Sequence, residues 1–162
     1  MGCLLLTGFT LLVASGCTHQ KIASDLAAYV NDGILKVADL EAQALDEYAA
    51  VVGANYTTDQ AVYDALRYQV VPIYGQFLAA LKGITPRTRE VTQLHGLYLR
   101  GAETMLHGFE TKLLGLETGR VALILEGNAG IEKGRSQTER WRSRLFTYFH
   151  KYKINYKKGN NA

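Results

Sequence analysis

Apolar residues recur at steps of three and four along most of the chain, in four runs separated by breaks at residues 51–60, 81–88 and 114–120. Side chains at this spacing share one face of an α-helix. No run alternates between apolar and polar residues over the length of a strand. The pattern therefore predicts an all-α fold, with four long amphipathic helices over residues 22–150. Because short connections make successive helices antiparallel, we expect an up-down-up-down antiparallel four-helix bundle.

The second and third predicted helices each begin at a recognisable capping signal. Thr57 or Thr58 can cap the second helix through a side-chain oxygen. Thr85 can cap the third helix, with Pro86 at its first position, where a missing N–H costs nothing. Pro72 lies inside the second helix, so we expect the helix to be distorted just before it, near residues 68–69.

The same steps of three and four predict which face of each helix is buried. On the second helix, the stripe of residues predicted to be buried includes Leu66, Gln69 and Ile73. That of the third contains one charged residue, Lys112. The fourth stripe includes polar residues where apolar ones belong, at positions seven apart: Asn128, Arg135 and Arg142.

Two interpretations of Asn128, Arg135 and Arg142 remain open. Unpaired polar groups in a core cost several kcal/mol, so each needs a partner, for which Asp39 or Glu47 of the first helix could serve. The three residues then form a structural ladder that fixes the helix register. Alternatively, they bind a small anionic or polar ligand between the helices.

Glycine is frequent in the third and fourth helices, at 101, 108 and 115 and at 127, 130 and 134. Each helical glycine costs about 1 kcal/mol relative to alanine. Close contact between the two helix backbones would explain them, and so would space for a ligand. A third interpretation is that small residues are merely tolerated where the helices cross.

Charge is segregated along the 162 residues, whose formal net charge is +3. Residues 18–53 carry two Lys against six acids, and residues 119–162 carry ten Lys and Arg against three Glu. Four helices would return the end of the chain to its beginning, with a basic flexible tail predicted at residues 151–162. Six basic residues there could bind anionic lipid headgroups: Arg142, Arg144, Lys151, Lys153, Lys157 and Lys158. These cations could instead complement the helix dipole and keep the tail soluble.

The apolar run that ends at Cys17 is too short to span a bilayer and suits the apolar region of a secretory signal. Its ending, Ala14-Ser15-Gly16-Cys17, resembles the lipobox of bacterial lipoproteins. The resemblance implies cleavage between Gly16 and Cys17, lipid on the Cys17 thiol, a signal peptide at 1–16 and a lipidated linker at 17–21. It also implies a periplasmic address, for which Thr18 favours the outer over the inner membrane. Export argues against a nucleic-acid partner.

Other interpretations of the N-terminus remain open. Acylation at Gly2 and Cys3 is one, and a plain secretory signal, an uncleaved anchor and a short buried helix are others. Because residues 1–3 lack the basic side chains that orient a signal, we expect the translation start to lie upstream.

No arrangement of residues indicates catalysis. Glu103, His107 and Glu110 share one face of the third helix at a spacing that suits a metal, but this face points away from the predicted core. The sequence has no Cys-x-x-Cys-His, Gly-x-Ser-x-Gly or phosphate-loop motif. We therefore expect that the protein is not an enzyme and that it binds neither a metal nor a cofactor. The mature part resembles uncharacterised helical-bundle lipoproteins, which implies a non-enzymatic interaction or structural module acting on an envelope partner. A small-ligand-binding bundle is the alternative.

Overall fold

The computed structural model describes the backbone of residues 14–154 and the side chains of residues 18–154. This part of the chain is a helical bundle without β-strands, which confirms the predicted all-α class. None of its helices combines the length and the apolar character needed to cross a membrane. Most of the predicted signal peptide, and Lys157 and Lys158 of the predicted tail, lie outside the described residues.

The described chain forms four helical segments. Helix α1 covers residues 14–49, as Ala14–Ala28, a π-helical segment Tyr29–Ile34, and Leu35–Ala49. Helix α2 covers residues 59–82, as Asp59–Ala65, a π-helical segment Leu66–Val70, and Val71–Lys82. Helices α3 and α4 are Arg89–Thr118 and Val121–Lys151, and a 3₁₀ turn, Gly53–Asn55, lies between α1 and α2. Residues 17–21, predicted as a linker, lie within α1, and the predicted tail begins at the last residue of α4.

The cap predicted for α2 is confirmed, and the one predicted for α3 is wrong. The Thr58 hydroxyl accepts a hydrogen bond from the Ala61 N–H at 3.1 Å. Helix α3 begins at Arg89, three residues later than expected, because Asp25 of α1 holds the preceding loop. Its buried carboxylate accepts from the Arg87 N–H and from the N–H and hydroxyl of Thr88, at 2.6–3.1 Å.

The distortion expected before Pro72 takes the form of the π-helical segment Leu66–Val70. A π turn holds one residue more than an α turn, so it rotates the rest of the helix by about one position. Val70 and Tyr74 consequently face the core, whereas Gln69 is exposed and Ile73 only half-buried. The predicted stripe of α2 is therefore wrong at Gln69 and Ile73.

The glycines of α3 lie against the backbone of α4, at positions that run in the opposite direction: Gly101 faces Thr138, Gly108 faces Ile131 and Gly115 faces Ile124. The two helices are therefore antiparallel. A Cβ atom built on Gly108 would lie 2.5 Å from the Ile131 backbone nitrogen. Of the three interpretations of these glycines, close backbone contact is confirmed.

This contact decides which face of α4 is buried. The buried row contains small residues as well as large ones: Gly127, Ile131, Gly134, Thr138 and Trp141. Asn128 is half-buried, and the side chains of Arg135 and Arg142 are 55% and 60% exposed. The expectation that the two arginines lie in the core is wrong, because the helices approach through glycine rather than through large apolar side chains.

Candidate functional site

The two ends of the described chain meet. The His19 Nε2 atom lies 3.1 Å from the Lys151 carbonyl oxygen, and the rings of His19 and Tyr152 are 5.0 Å apart. His19 is two residues from Cys17, whose side chain is outside the described part. The expectation that the end of the fourth helix returns to the beginning of the first is therefore confirmed for these residues.

Basic and aromatic side chains are exposed at this end. Arg142, Arg144, Lys151 and Lys153 are exposed, and Phe146 is 49% exposed. Arg142 forms an ion pair with Glu139 one turn away on α4. Two of the six cations predicted to meet lipid headgroups, Lys157 and Lys158, lie beyond the described residues.

A groove of about 470 Å³ separates α1 from α4, and its lining combines charged and apolar side chains. Arg135 and Arg142 of α4 line it opposite Glu41 and Asp46 of α1. Arg135 also lies 3.8 Å from Glu132, its neighbour along α4. The structure thus brings two of the three predicted polar residues to one groove but leaves Asn128 outside its lining.

Glu41 is the carboxyl group of this groove that is half-buried. The Tyr98 hydroxyl donates a hydrogen bond to Glu41 Oε2 at 2.6 Å. Burial raises the pKa of Glu41, although this hydrogen bond and the nearby Arg142 both act to lower it. Burial, together with the Glu41 charge, also raises the pKa of Tyr98.

Asp39 and Glu47 were predicted as partners of the polar residues of α4, and this prediction is wrong. Asp39 is exposed, and Glu47 lies beside the side-chain amide of Gln69 on α2. Glu41 and Asp46 are the acids of α1 that line the groove opposite Arg135 and Arg142.

Asn128 lines a second pocket, of about 390 Å³, together with Lys112 of α3. Lys112 is only 8% exposed, and its Nζ donates a hydrogen bond to the Tyr48 hydroxyl at 2.9 Å. Burial lowers the pKa of Lys112, against the opposing effect of the Asp59 carboxylate, and raises the pKa of Tyr48 to about 12. Lys112 is not among the residues predicted to be functional, although a charged residue in an apolar stripe was the available signal.

Glu103, His107 and Glu110 are exposed on α3, and Glu103 forms an ion pair with Lys82 of α2 at 2.9 Å. Within residues 18–154, no three His, Cys, Asp or Glu side chains are grouped so that they could hold a metal ion.

Comparison with protein families, curated proteins and solved structures finds no match to this chain.

Proposed function

We propose that this chain is a lipid-anchored protein of the bacterial cell envelope, held by acyl chains on Cys17. In this proposal it faces the periplasm, in the outer rather than the inner membrane, and acts as a non-enzymatic interaction or structural module. The observation that carries the proposal is the contact between His19 and Lys151. It brings the basic end of α4 to the end of the molecule where the lipid would enter the bilayer.

The lipid anchor is tested by labelled palmitate in cells that make the chain. We expect label on the wild type and on Cys3→Ser, and none on Cys17→Ser, because the lipobox assigns the acyl chains to Cys17. Cys3→Ser is the matched control, since it removes the other thiol of the sequence. Label that persists in Cys17→Ser and disappears from Cys3→Ser would instead support acylation at the extreme N-terminus.

We further propose that cations at this end bind anionic headgroups. Each basic side chain near an anionic surface contributes about 1 kcal/mol. Replacing Arg144 and Lys151 with Gln should then weaken binding of the unlipidated chain to anionic vesicles about thirtyfold at low salt. Replacing Arg120 and Lys133 with Gln removes the same charge elsewhere and should have little effect. Equal loss in both pairs would reject the contact and indicate an effect of net charge alone.

We also infer that the four helices form an up-down-up-down antiparallel bundle. Asp25, early in α1, binds Thr88 at the start of α3, and Tyr48, late in α1, binds Lys112 far along α3. These contacts favour α1 and α3 pointing the same way, with α4 opposed to both. Spin labels at Gln20 and His150 should accordingly be closer together than labels at Gln20 and Arg120, and the reverse order would reject the arrangement.

A second candidate function is the binding of a small polar ligand in the groove between α1 and α4, which Arg135 and Arg142 line. Because Arg135 is exposed, Arg135→Met should change the free energy of unfolding by no more than about 0.5 kcal/mol. The variant should, however, lose any thermal stabilisation that small carboxylates or phosphates give the wild type. A large loss of stability would instead assign Arg135 a structural role.

A further inference from the structure

Lys112 is a buried cation for which the proposed function has no use. Lysine is rarely buried in proteins unless a negative charge accompanies it. Within the described chain, however, its hydrogen bond goes to a neutral phenol, that of Tyr48 at 2.9 Å. The Lys112 backbone is fixed as well, since a Cβ atom on Gly127 of α4 would lie 2.5 Å from its nitrogen. The amine is therefore held in a defined place with incomplete compensation for its charge.

The pocket beside Lys112 has the size and character of a small-molecule site. Its volume of about 390 Å³ lies in the usual range for such sites, about 300–1,000 Å³. Four of the nine residues that line it have aliphatic side chains: Val52, Val62, Leu116 and Ile124. Asn128, Tyr56 and Asp59 add a few polar groups, and the Tyr56 hydroxyl already donates to Asp59 at 3.2 Å.

We propose that Lys112 is an amine nucleophile that binds small apolar aldehydes and ketones in this pocket as a Schiff base. The aliphatic wall would hold the hydrocarbon part of the compound against the amine. Desolvated lysines are the ones that proteins use for Schiff bases with carbonyl compounds.

The Lys112 nitrogen attacks the carbonyl carbon, and an N–H proton passes to the carbonyl oxygen to give a carbinolamine. The nitrogen lone pair then forms the C=N bond as the C–O bond breaks, and water leaves. The Tyr48 hydroxyl, at hydrogen-bond distance from the nitrogen, supplies the proton that the departing hydroxyl needs. The C=N nitrogen still carries one N–H proton, which passes to the phenolate and leaves a neutral imine. The sum is therefore one carbonyl compound bound and one water released, with no net uptake of protons.

The ionisation of the surrounding groups suits this role. Burial lowers the pKa of Lys112, so its neutral fraction at pH 7 exceeds that of an exposed lysine, although Asp59 of α2 opposes the effect. Burial raises the pKa of Tyr48 to about 12, so Tyr48 keeps its proton at neutral pH. Arg135 and Glu132 of α4 act on Tyr48 in opposite directions.

The test uses the full wild-type chain, purified in detergent and incubated at pH 7 with hexanal and sodium cyanoborohydride, which reduces an imine to a stable amine. Peptide mapping by mass spectrometry follows each lysine in the same molecule. We expect Lys112 to be modified about tenfold faster than Lys133, an exposed lysine of α4. Modification of Lys112 at or below the rate of Lys133 would overturn the proposal.

Two further measurements separate chemistry from mere accessibility. Tyr48→Phe should slow modification of Lys112 about tenfold or more, because it removes the proton donor, and should leave Lys133 unchanged. In denaturing urea, wild-type Lys112 should lose its advantage over Lys133. Should Tyr48→Phe leave the rate at Lys112 unaltered, or should the advantage survive in urea, the site is not the one proposed.

Discussion

The contact between α3 and α4 can be tested by adding one methyl group at Gly108. In Gly108→Ala, the new Cβ atom would lie 2.5 Å from the Ile131 nitrogen and 2.9 Å from the carbonyl oxygen of Gly127. Ordinary van der Waals contact begins at 3.4 Å, so the closest approach is about 0.9 Å too short. Both neighbours are backbone atoms of α4, which no change of rotamer can move aside.

Two effects of opposite sign decide the magnitude. Alanine is favoured over glycine inside a helix by about 1 kcal/mol, which stabilises the variant. Overpacking that shifts a backbone costs about 1–3 kcal/mol, and a whole helix displaced by nearly 1 Å belongs at the upper end of this range. Separating the helices also weakens dispersion along their contact. We expect Gly108→Ala to lower the free energy of unfolding by about 2 kcal/mol.

Gly75→Ala is the matched control. Gly75 lies inside α2, and a Cβ atom built there meets nothing within 4 Å. Because the new methyl group contacts nothing, only the higher helix propensity of alanine acts. The free energy of unfolding of this variant should therefore rise by about 0.5–1 kcal/mol. Urea unfolding followed by far-ultraviolet circular dichroism measures both, with the slope m unchanged. A Gly108→Ala protein at least as stable as the wild type would refute the close backbone contact.

Three more changes are expected to alter stability in urea titrations. Asp25→Ala should cost about 2–3 kcal/mol, because three donors lose a buried carboxylate, while Asp32→Ala, exposed on the same helix, should stay within about 0.5 kcal/mol. Burial lowers the pKa of His95, so its stabilisation is complete above pH 6.5 and is lost as the pH falls; His95→Leu should flatten this dependence. Burial raises the pKa of Glu41, so the stability that its protonated form contributes is complete below pH 4.5 and is lost as the pH rises. In Glu41→Gln, which cannot ionise, stability should no longer fall over this pH range.

The helices could be predicted from sequence because the spacing of apolar residues is a local property. It gave four helical segments with breaks close to the observed ones, and either Thr57 or Thr58 as the cap of α2, of which Thr58 is the observed cap. The stripe drawn for the third helix also passes through Lys112, which is buried. The start of α3 could not be predicted in this way, because the carboxylate that holds the loop before it belongs to Asp25, 64 positions before Arg89.

Which face of each helix is buried was harder to predict than the positions of the helices, for two physical reasons. Stripes drawn at regular α-helical steps assume one geometry throughout, and the π-helical segment Leu66–Val70 breaks that assumption for the rest of α2. In α4, the assumption that large apolar residues mark the buried face fails, because glycine permits the closest approach between helices. The error at Arg135 and Arg142 follows from this second reason.

The basic end of α4 and the pocket beside Lys112 are far enough apart to be tested independently. His19 and Tyr48 are 29 positions apart on α1, or about 40 Å at 1.5 Å per residue. This is several times the Debye length of about 10 Å at 0.1 M salt. Removing the charges of Arg144 and Lys151 should therefore leave the modification of Lys112 unchanged. A variant at the basic end that keeps the wild-type circular dichroism spectrum but changes both vesicle binding and Lys112 labelling would refute this independence.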